Sequence, residues 1–278
     1  FPEFYYKWEK VDNNKFRYRF AEYNVDGSFK RVPRSLVGAY KGYMTSNKLY
    51  SRSGVTPTTS RSTNEFESYA TARGKGYQRI DFQQHCVIAF MLYAKYGNRN
   101  LQAVLGVGGA TYSPATTTGS SNATGNADTK NETSKYVCGL GIEGVFGGIY
   151  EWVKGVEINN RVWKITDPDG STRNVNAGTS DGWITNVAAE NGPFFDMVPT
   201  NVGGSETTYY SDYYWQNSGG SLVLARSYNS SNTNGGVAYA GAFYVASHSD
   251  PVFGSRLAFR GVIREAASVS AFKALAVL

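Results

Sequence analysis

The first 50 residues alternate between apolar and polar positions with a period of two. The stretch KFRYRFAEYNVDGSFKRV repeats an aromatic residue at every second position over its first half. Such spacing is typical of short strands with one buried face. The segment from Asn24 to Gly27 contains an Asp-Gly pair, which favours the tight turn of a hairpin. We therefore predict an N-terminal β-hairpin region over residues 1–50, packed on a main domain.

Two helices with clear start signals are predicted next. Ser62 with Glu65 has the spacing of a capping box before an amphipathic segment. Asp81 with Gln84 has the same spacing before FQQHCVIAFMLYAKY, and Gly97 supplies the stop signal. The second segment is apolar on nearly all sides, so we expect this helix to form the buried centre of the core.

Beyond residue 106 the sequence becomes rich in glycine and threonine. Residues 106–134 are too long and polar for an ordinary connector, which predicts a surface excursion or a binding loop. Short strand candidates separated by glycines follow, and Asp169-Gly170 predicts another hairpin turn. Apart from a short C-terminal helix, few helices are expected after residue 100. Helices early and many short strands late predict the α+β class, with one main domain over residues 51–278.

Composition indicates a folded chain and argues against a nucleic-acid interface. The 278 residues are 41% hydrophobic and 15% aromatic, which is enough to build a large core. The net charge is +6, but between Arg173 and Arg256 the only Lys or Arg is Arg226, so no basic cluster forms a stripe in that half. No apolar run reaches 18 residues, so no membrane insertion is expected. The chain starts at Phe1 without a signal-like segment, as a trimmed or mature fragment would.

Histidines and cysteines offer few candidates for catalysis. His85 lies inside the apolar helix and is expected to be a core residue. His248 and Asp250 could form a base with its orienting carboxylate, but the sequence shows no nucleophile positioned beside them. Cys86 and Cys138 match no metal motif and are expected to be buried thiols, with a disulfide between them left open. We therefore predict a chain without catalytic residues, metal site or cofactor.

Two charged features are better explained by structure than by chemistry. Asp167-Pro-Asp169-Gly170 resembles the start of a calcium loop, but its twelfth position is Gly178, which offers no carboxylate. A hairpin turn is favoured there. Arg226 stands alone in an uncharged region and would be costly to bury without a partner, so we expect it to pair with Glu151.

The region from Ser211 to Gly261 has the composition of a recognition surface. Between Ser227 and Ser255 it contains no Lys, Arg, Glu, Gln, Met or Trp, but many Tyr, Asn, Ser and Gly residues. Tyrosine buries a large amphipathic area at low entropic cost, while Ser, Asn and Gly adapt their hydrogen bonds, as in antibody loops. The alternative is an inert, solvated loop. The number of aromatic residues favours a binding surface.

Three segments resemble the formylglycine-generating-enzyme version of the C-type lectin fold. They are GIYEW (148–152), YQRIDFQQHCVIAFMLYAKYG (77–97) and VLARSYNSS…GSRLAF (223–259). The resemblance spans about residues 30–265 and implies that fold, with short strands, two helices and long loops. The late cysteine pair of the oxidases is missing, which argues against their activity. The Glu-Pro-Asn or Gln-Pro-Asp triplet of calcium-dependent sugar sites is also missing.

The closer resemblance is to the variable proteins of diversity-generating retroelements, including phage tail-tip tropism determinants. In that family, randomised AAC and AAT codons yield Asn, Tyr, Ser, Gly and similar residues, but not Lys, Glu, Gln, Met or Trp. Residues 227–255 obey this restriction, and GSRLAFRG after them resembles the constant end of such a cassette. The resemblance implies a variable region at about residues 211–255.

The same resemblance implies a non-catalytic receptor-binding protein. The expected role is that of a phage or prophage tail-tip adhesin that recognises a bacterial surface protein or glycan, located on the virion. A bacterial cell-surface adhesin of the same fold is the alternative, and a formylglycine-generating type of oxidase is a remoter one. Other tail-fibre chains are expected partners, as is a homo-oligomer such as a trimer, with no nucleic acid.

Ligand-binding residues are carried over from the matched segments. Those expected at the rim are Tyr214, Gln216 and Asn217. Those expected in the exposed pocket are Tyr228, Asn229, Ser230, Asn232, Asn234, Tyr244, Ser247, His248 and Asp250. Leu222, Tyr239 and Arg256 are expected to belong to the framework.

Overall fold

A computed structural model describes residues 1–12, 15–107, 114–130, 135–226, 235–263 and 266–273. These residues form mostly β-structure with few helices, in agreement with the predicted α+β class. No helix among them combines the length and the apolar character needed to cross a membrane.

The strands are short and most of them follow the helical segment. In chain order they are β1 (Phe4–Asp12), β2 (Lys15–Ala21), β3 (Lys30–Val32), β4 (Leu36–Val37), β5 (Gly42–Thr45), β6 (Lys48–Ser51), β7 (Tyr77–Arg79), β8 (Cys138–Gly139), β9 (Ile142–Glu143), β10 (Tyr150–Asn159), β11 (Val162–Thr166), β12 (Thr172–Asn176), β13 (Gly182–Val187), β14 (Pro199–Val202), β15 (Tyr213–Gln216), β16 (Leu222–Arg226), β17 (Ala240–Val245), β18 (Phe253–Gly254) and β19 (Leu257–Phe259).

The α-helices are α1 (Thr63–Thr71), α2 (Phe82–Tyr96), α3 (Leu101–Leu105) and α4 (Val269–Lys273). Both predicted capping boxes are present, since Ser62 and Asp81 accept hydrogen bonds from the backbone N–H groups three residues later. Gly97 ends α2 in the left-handed conformation with φ of 59°, as its stop signal predicts. α2 is buried along most of its length, which confirms its predicted place in the core.

The N-terminal residues form a three-stranded sheet in the order β2-β1-β3. The turn predicted at Asn24–Gly27 therefore does not join two paired strands, because β2 and β3 lie on opposite sides of β1. Asp26 explains the actual path: its carboxylate accepts hydrogen bonds from the backbone N–H of Ser28 and from Lys7 Nζ of β1, both at 2.9 Å. These bonds hold the connection from β2 to β3 against the sheet. β1 pairs antiparallel with β2, from Tyr5 with Ala21 to Asp12 with Lys15, and residues 13–14 between these strands lie outside the described residues.

A nine-stranded sheet dominates the main domain. Eight of its strands follow the order β12-β11-β10-β16-β17-β15-β13-β14, and β18 pairs with β10. β11 and β12 form an antiparallel hairpin around Asp169-Gly170, which confirms the predicted turn. Most neighbours are antiparallel, whereas β15 runs parallel to β17 and β18 runs parallel to β10. The late segments of the chain thus lie side by side.

The two faces of this sheet pack on separate hydrophobic clusters. Residues paired across neighbouring strands point to the same face. Trp152, Ala225, Gly241 and Trp215 follow one another in this way across β10, β16, β17 and β15. Their face carries a cluster that includes Trp152, Ala225 and Tyr239. Leu224 belongs to the other, larger cluster, which contains most of α2.

Buried charges connect β10 to the start of the domain. The Glu151 carboxylate accepts a hydrogen bond from Arg256 Nε at 2.9 Å and one from Lys41 Nζ at 3.2 Å. All three side chains are at most 2% exposed. Arg256 also donates to the backbone carbonyls of Gly38 and Glu143. The expected framework role of Arg256 is consistent with this position.

The predicted ion pair between Arg226 and Glu151 is wrong. The two residues are direct neighbours in the β10–β16 pairing, but Glu151 is already bound by Arg256 and Lys41. Arg226 instead donates from Nη1 to the Ala238 carbonyl at 3.1 Å and from Nη2 to the Met197 carbonyl. Two backbone carbonyls thus bind a buried guanidinium for which a carboxylate was expected, while its Nε has no hydrogen-bond partner among the described residues.

The described part of the long loop, residues 114–130, is fastened to the core. The buried Glu143 carboxylate accepts backbone hydrogen bonds from Gly119 at 2.7 Å and Ser121 at 2.8 Å. This part of the predicted excursion is therefore anchored. Cys86 and Cys138 are both buried and free, which agrees with the expected thiols and removes the disulfide alternative.

Candidate functional site

Three aromatic side chains lie together on β13 and β15, on the face of Trp152. Trp183 and Tyr213 are paired across the two strands, and their ring centroids are 5.5 Å apart. Tyr213 and Trp215 are separated by two positions in β15, with centroids 4.7 Å apart. Trp215 is 38% exposed, while Trp183 and Tyr213 are half-buried. The sheet thus presents an aromatic strip to solvent.

A second aromatic group lies at the end of β17. Tyr244 packs edge-on against Phe253 at 4.6 Å, and the His248 ring lies 4.9 Å from that of Tyr244. Beneath them, Trp152 and Phe253 are stacked at 4.4 Å and fully buried. Tyr244 and His248 are half-buried, so each offers one side to solvent and the other to the cluster. This support restricts their motion and lowers the entropy lost when a ligand binds.

Some of the polar residues predicted around the site are exposed, and others already form hydrogen bonds within the protein. Asn217 and Ser247 are exposed. Gln216 is half-buried, and its side-chain carbonyl already accepts a hydrogen bond from Arg161 Nε. Asp250 is half-buried and caps its own turn, because its carboxylate accepts the backbone N–H of Val252 at 3.1 Å. Asn217 also caps its own turn, because its Oδ1 accepts the backbone N–H of Gly219 at 2.7 Å. Among the described residues of this group, the Asn217 NH₂ and the Ser247 hydroxyl therefore remain available.

Tyr214 does not belong to an exposed rim. Its side chain is fully buried and lies in the larger hydrophobic cluster, with its ring 6.5 Å from that of Trp163. The alternation of β15 explains the error: Tyr213 and Trp215 point to the aromatic face, so Tyr214 must point to the opposite one. Of the other predicted residues, Tyr228, Asn229, Ser230, Asn232 and Asn234 lie outside the described residues.

Two buried charged residues hold the chain on both sides of segment 227–234. Arg226, the last residue before it, donates to the Ala238 carbonyl at 3.1 Å. The Asp212 carboxylate accepts the backbone N–H of Gly236 at 2.7 Å and that of Ala238 at 2.8 Å. Arg226 and Asp212 thus bind the same residue, since Asp212 accepts the N–H of Ala238 and Arg226 donates to its C=O. We call these two residues the clamp.

A third residue completes the environment of the clamp. Gln102 of α3 donates to Asp212 Oδ1 at 2.8 Å and to the Ser211 carbonyl at 2.7 Å. These donors favour the carboxylate form, but burial has the larger effect and raises the pKa of Asp212 to about 7. The bonds of the clamp are made by residues outside segment 227–234 or by backbone atoms. The bonds cited for the clamp therefore require no side chain of that segment.

The catalytic alternatives are not assembled in the described residues. His248 and Asp250 form no side-chain hydrogen bond with each other there, since Asp250 caps a turn and the His248 ring packs on Tyr244. His85 Nε2 lies 3.5 Å from Glu151, and burial lowers the pKa of His85 to about 3, so it is a neutral core residue as expected. No group of His, Cys, Asp or Glu suited to a metal ion occurs among the residues described.

The turn that resembles a calcium loop also has its carboxylate Asp167 engaged within the protein. Asp167 is paired with Arg173, which also holds Asp196 through its Nε at 3.0 Å. These residues line a cavity of about 400 Å³ beside Phe194. One guanidinium thus binds both carboxyl groups, and burial raises the pKa of Asp167 and of Asp196.

Sequence reasoning missed the aromatic strip of Trp183, Tyr213 and Trp215 as a unit. The signal was present in the YYW run of β15, because every second residue of a strand faces the same way. Trp183 could not have been added, since its pairing with Tyr213 depends on a contact 30 positions away along the chain. The chain matches no protein-family model, and a search of curated proteins finds no match.

Proposed function

We propose that this chain is a non-catalytic receptor-binding protein of the C-type lectin fold, in the version found in formylglycine-generating enzymes. The α+β architecture supports the fold, as does the interior position of β10, whose first three residues are the YEW of the GIYEW segment. The absence of a matching family model leaves the resemblance of the three segments as the basis for this finer assignment.

The observation that carries the proposal is a half-exposed aromatic face on a sheet whose other face holds the clamp. Asp212 bonds to Gln102 of α3, and Arg226 lies over the Phe82 ring of α2. Tyr213 and Ala225 instead point to the aromatic face. Arg226 and Asp212 fix both ends of segment 227–234 through bonds to backbone atoms. Such an anchor tolerates exchange of the side chains between its ends, which is what a diversified binding surface needs. Trp215 and Tyr244 supply aromatic contact area on a rigid support.

The chemistry of the face favours a partner recognised by shape and hydrogen bonds. Between residues 207 and 255 the charged side chains are Asp212, Arg226 and Asp250, of which the first two are buried. An uncharged face with aromatic, amide and hydroxyl groups suits a glycan or a polar protein surface. We propose a bacterial surface molecule as the ligand and the tip of a phage or prophage tail, or a bacterial cell surface, as the location. Display as a homo-oligomer with other fibre chains would add avidity.

Binding of labelled protein to a panel of intact bacterial strains tests the proposal. We expect at least one strain to retain the protein, and the double variant Trp215→Ala and Ser247→Arg to lose that retention by tenfold or more, roughly the effect of removing one aromatic anchor. The control is Thr166→Ala and Asn174→Arg, which alters exposed residues of β11 and β12 by the same number of substitutions and the same charge.

Thermal unfolding of all three proteins verifies that the variants are folded. Equal retention of the face variant and the original chain would overturn the assignment of this face. Retention by no strain, together with capture only by other virion chains, would favour a structural role instead.

A further inference from the structure

The N-terminal sheet exposes an unpaired edge. Among the described residues, β2 pairs only with β1, and β1 separates it from β3. One side of this seven-residue strand therefore presents backbone N–H and C=O groups that no neighbouring strand occupies. Edges of this kind accept a further strand unless the protein protects them.

The inward face of β2 is aromatic and incompletely covered. Phe16 is 38% exposed and Phe20 is 52% exposed, although both belong to the face that packs towards the core. Tyr18 between them is half-buried and donates to the Ala189 carbonyl at 2.9 Å. Phe20 also lines an apolar cavity of about 260 Å³ with Met91 of α2. Apolar side chains placed beside this strand would remove these surfaces from water.

The outward face of β2 is positively charged. Lys15, Arg17 and Arg19 alternate with the aromatic residues and are all exposed. Every charged side chain of this column on β2 is a cation, although Arg19 pairs with Glu9 of β1 at 3.0 Å and Lys15 lies 3.7 Å from Asp12. A strand added at this edge would place its own side chains directly opposite these cations, with Cβ atoms about 4.5–5.5 Å apart.

We propose that β2 is a docking edge for an extended segment of another protein, in which acidic and apolar residues alternate. The backbone groups of β2 would bind that segment as an added strand. Its acidic side chains would face Arg17 and Arg19, and its apolar side chains would contact Phe16 and Phe20. In this mode the backbone hydrogen bonds supply affinity, whereas the aromatic and basic faces of β2 select a strand in which acidic and apolar residues alternate.

The charge pattern disfavours a second copy of this chain as the occupant. In an antiparallel pairing of two β2 strands, Arg17 and Arg19 of one copy would lie opposite Lys and Arg side chains of the other. Like charges directly opposite each other destabilise a sheet. The occupant is therefore an acidic strand of a different sequence.

Two synthetic peptides test this docking edge on the full chain. One alternates glutamate and valine over seven residues, and the other replaces each glutamate with lysine. We expect the glutamate peptide to bind more tightly by roughly tenfold in fluorescence anisotropy, since each opposed charge pair contributes modestly. It should also slow hydrogen exchange of the amides in β2. Equal binding of the peptides, or no slowing in β2, would overturn the proposal.

Charge reversal provides the matched control. In the variant Arg17→Glu and Arg19→Glu the preference should invert in favour of the lysine peptide, because the backbone edge is unchanged. Lys164→Glu, which reverses an exposed charge on β11, should leave the preference as it was. A preference that does not respond to the first variant would refute the role of these arginines. Concentration-dependent dimerisation that protects β2 would identify a second copy as the occupant and would also refute the proposal.

Discussion

At the scale of single residues, the main feature is a carboxylate that remains charged inside the core. Burial opposes ionisation of Glu151, but Arg256 and Lys41 outweigh it and lower the pKa of Glu151 to about 2. Because this value lies below the ordinary 4.5, the resulting stability is present above pH 4.5 and is lost as the pH falls towards 2. The pairing joins β10 to the backbone of Gly38, far away in the sequence.

Removing one partner of this cluster should be strongly destabilising. We expect Arg256→Met to lower the free energy of unfolding by about 3–5 kcal/mol, because Glu151 would lose its closest buried cation. Urea unfolding monitored by tryptophan fluorescence measures the change. The matched control is Lys164→Met, in which an exposed lysine 3.8 Å from Glu157 is replaced at an expected cost below about 1 kcal/mol. Similar losses in both variants would show that the buried cluster contributes nothing special.

At the scale of elements, segments whose signals are local were predictable. The capping boxes at Ser62 and Asp81 were read correctly, because each depends on residues within one helical turn. The turn at Asp169-Gly170 was also correct, since the strands it joins are adjacent in sequence. The Asn24–Gly27 turn was misassigned because a local turn signal does not state which strands pair.

Features of the site that depend on distant pairing could not be predicted. Arg226 and Glu151 were matched by charge alone, whereas the nine-stranded sheet brings the Ala238 and Met197 carbonyls to the guanidinium. Tyr214 was expected to be exposed because the composition of its region does not reveal which face of β15 is covered. The clamp involving Asp212 was missed for the same reason.

The clamp makes the junction of β15 and β17 sensitive to pH. Because burial raises the pKa of Asp212 from 3.8 to about 7, the folded state binds a proton that the unfolded chain releases between these values. This contribution to stability is complete below about pH 4 and is lost as the pH rises through 7, by at most about 1.4 kcal/mol per pH unit. Asp212→Asn removes the titration. We expect the variant's stability relative to the original chain to be higher at pH 8 than at pH 5.

Urea unfolding of both proteins at the two pH values measures this difference. The variant should be less stable overall. The NH₂ group that replaces one carboxylate oxygen cannot accept a hydrogen bond, so either the Gly236 or the Ala238 N–H loses its acceptor. The titration of Asp212 is therefore measured by how the stability difference between the two proteins changes with pH, not by the size of that difference at one pH. Parallel pH profiles of the two proteins would mean that another group titrates there.

At the scale of the whole molecule, the proposed binding face and the groups that stabilise the sheet consist of different residues. The two hydrophobic clusters, α2 and the buried charges hold the sheet together. The aromatic strip and Tyr244 lie over this support, and Arg226 and Asp212 bind the chain directly after segment 227–234. A protein arranged in this way can change its binding specificity without rebuilding its core.

Exchange of segment 227–234 for an eight-residue sequence of glycine and serine tests this separation. We expect the free energy of unfolding to change by no more than about 1–2 kcal/mol, because both halves of the clamp lie outside the exchanged residues and the added glycines chiefly increase the entropy of the unfolded chain. Retention by a strain that binds the original chain should fall by tenfold or more, since the segment's tyrosine and asparagines are removed. Circular dichroism melting and cell binding, measured on the same samples, give the two readouts. If the exchange unfolded the domain, the segment would be part of the core and its side chains could not vary freely. If binding survived intact, recognition would have to come from Trp215, Tyr244 and the constant framework alone.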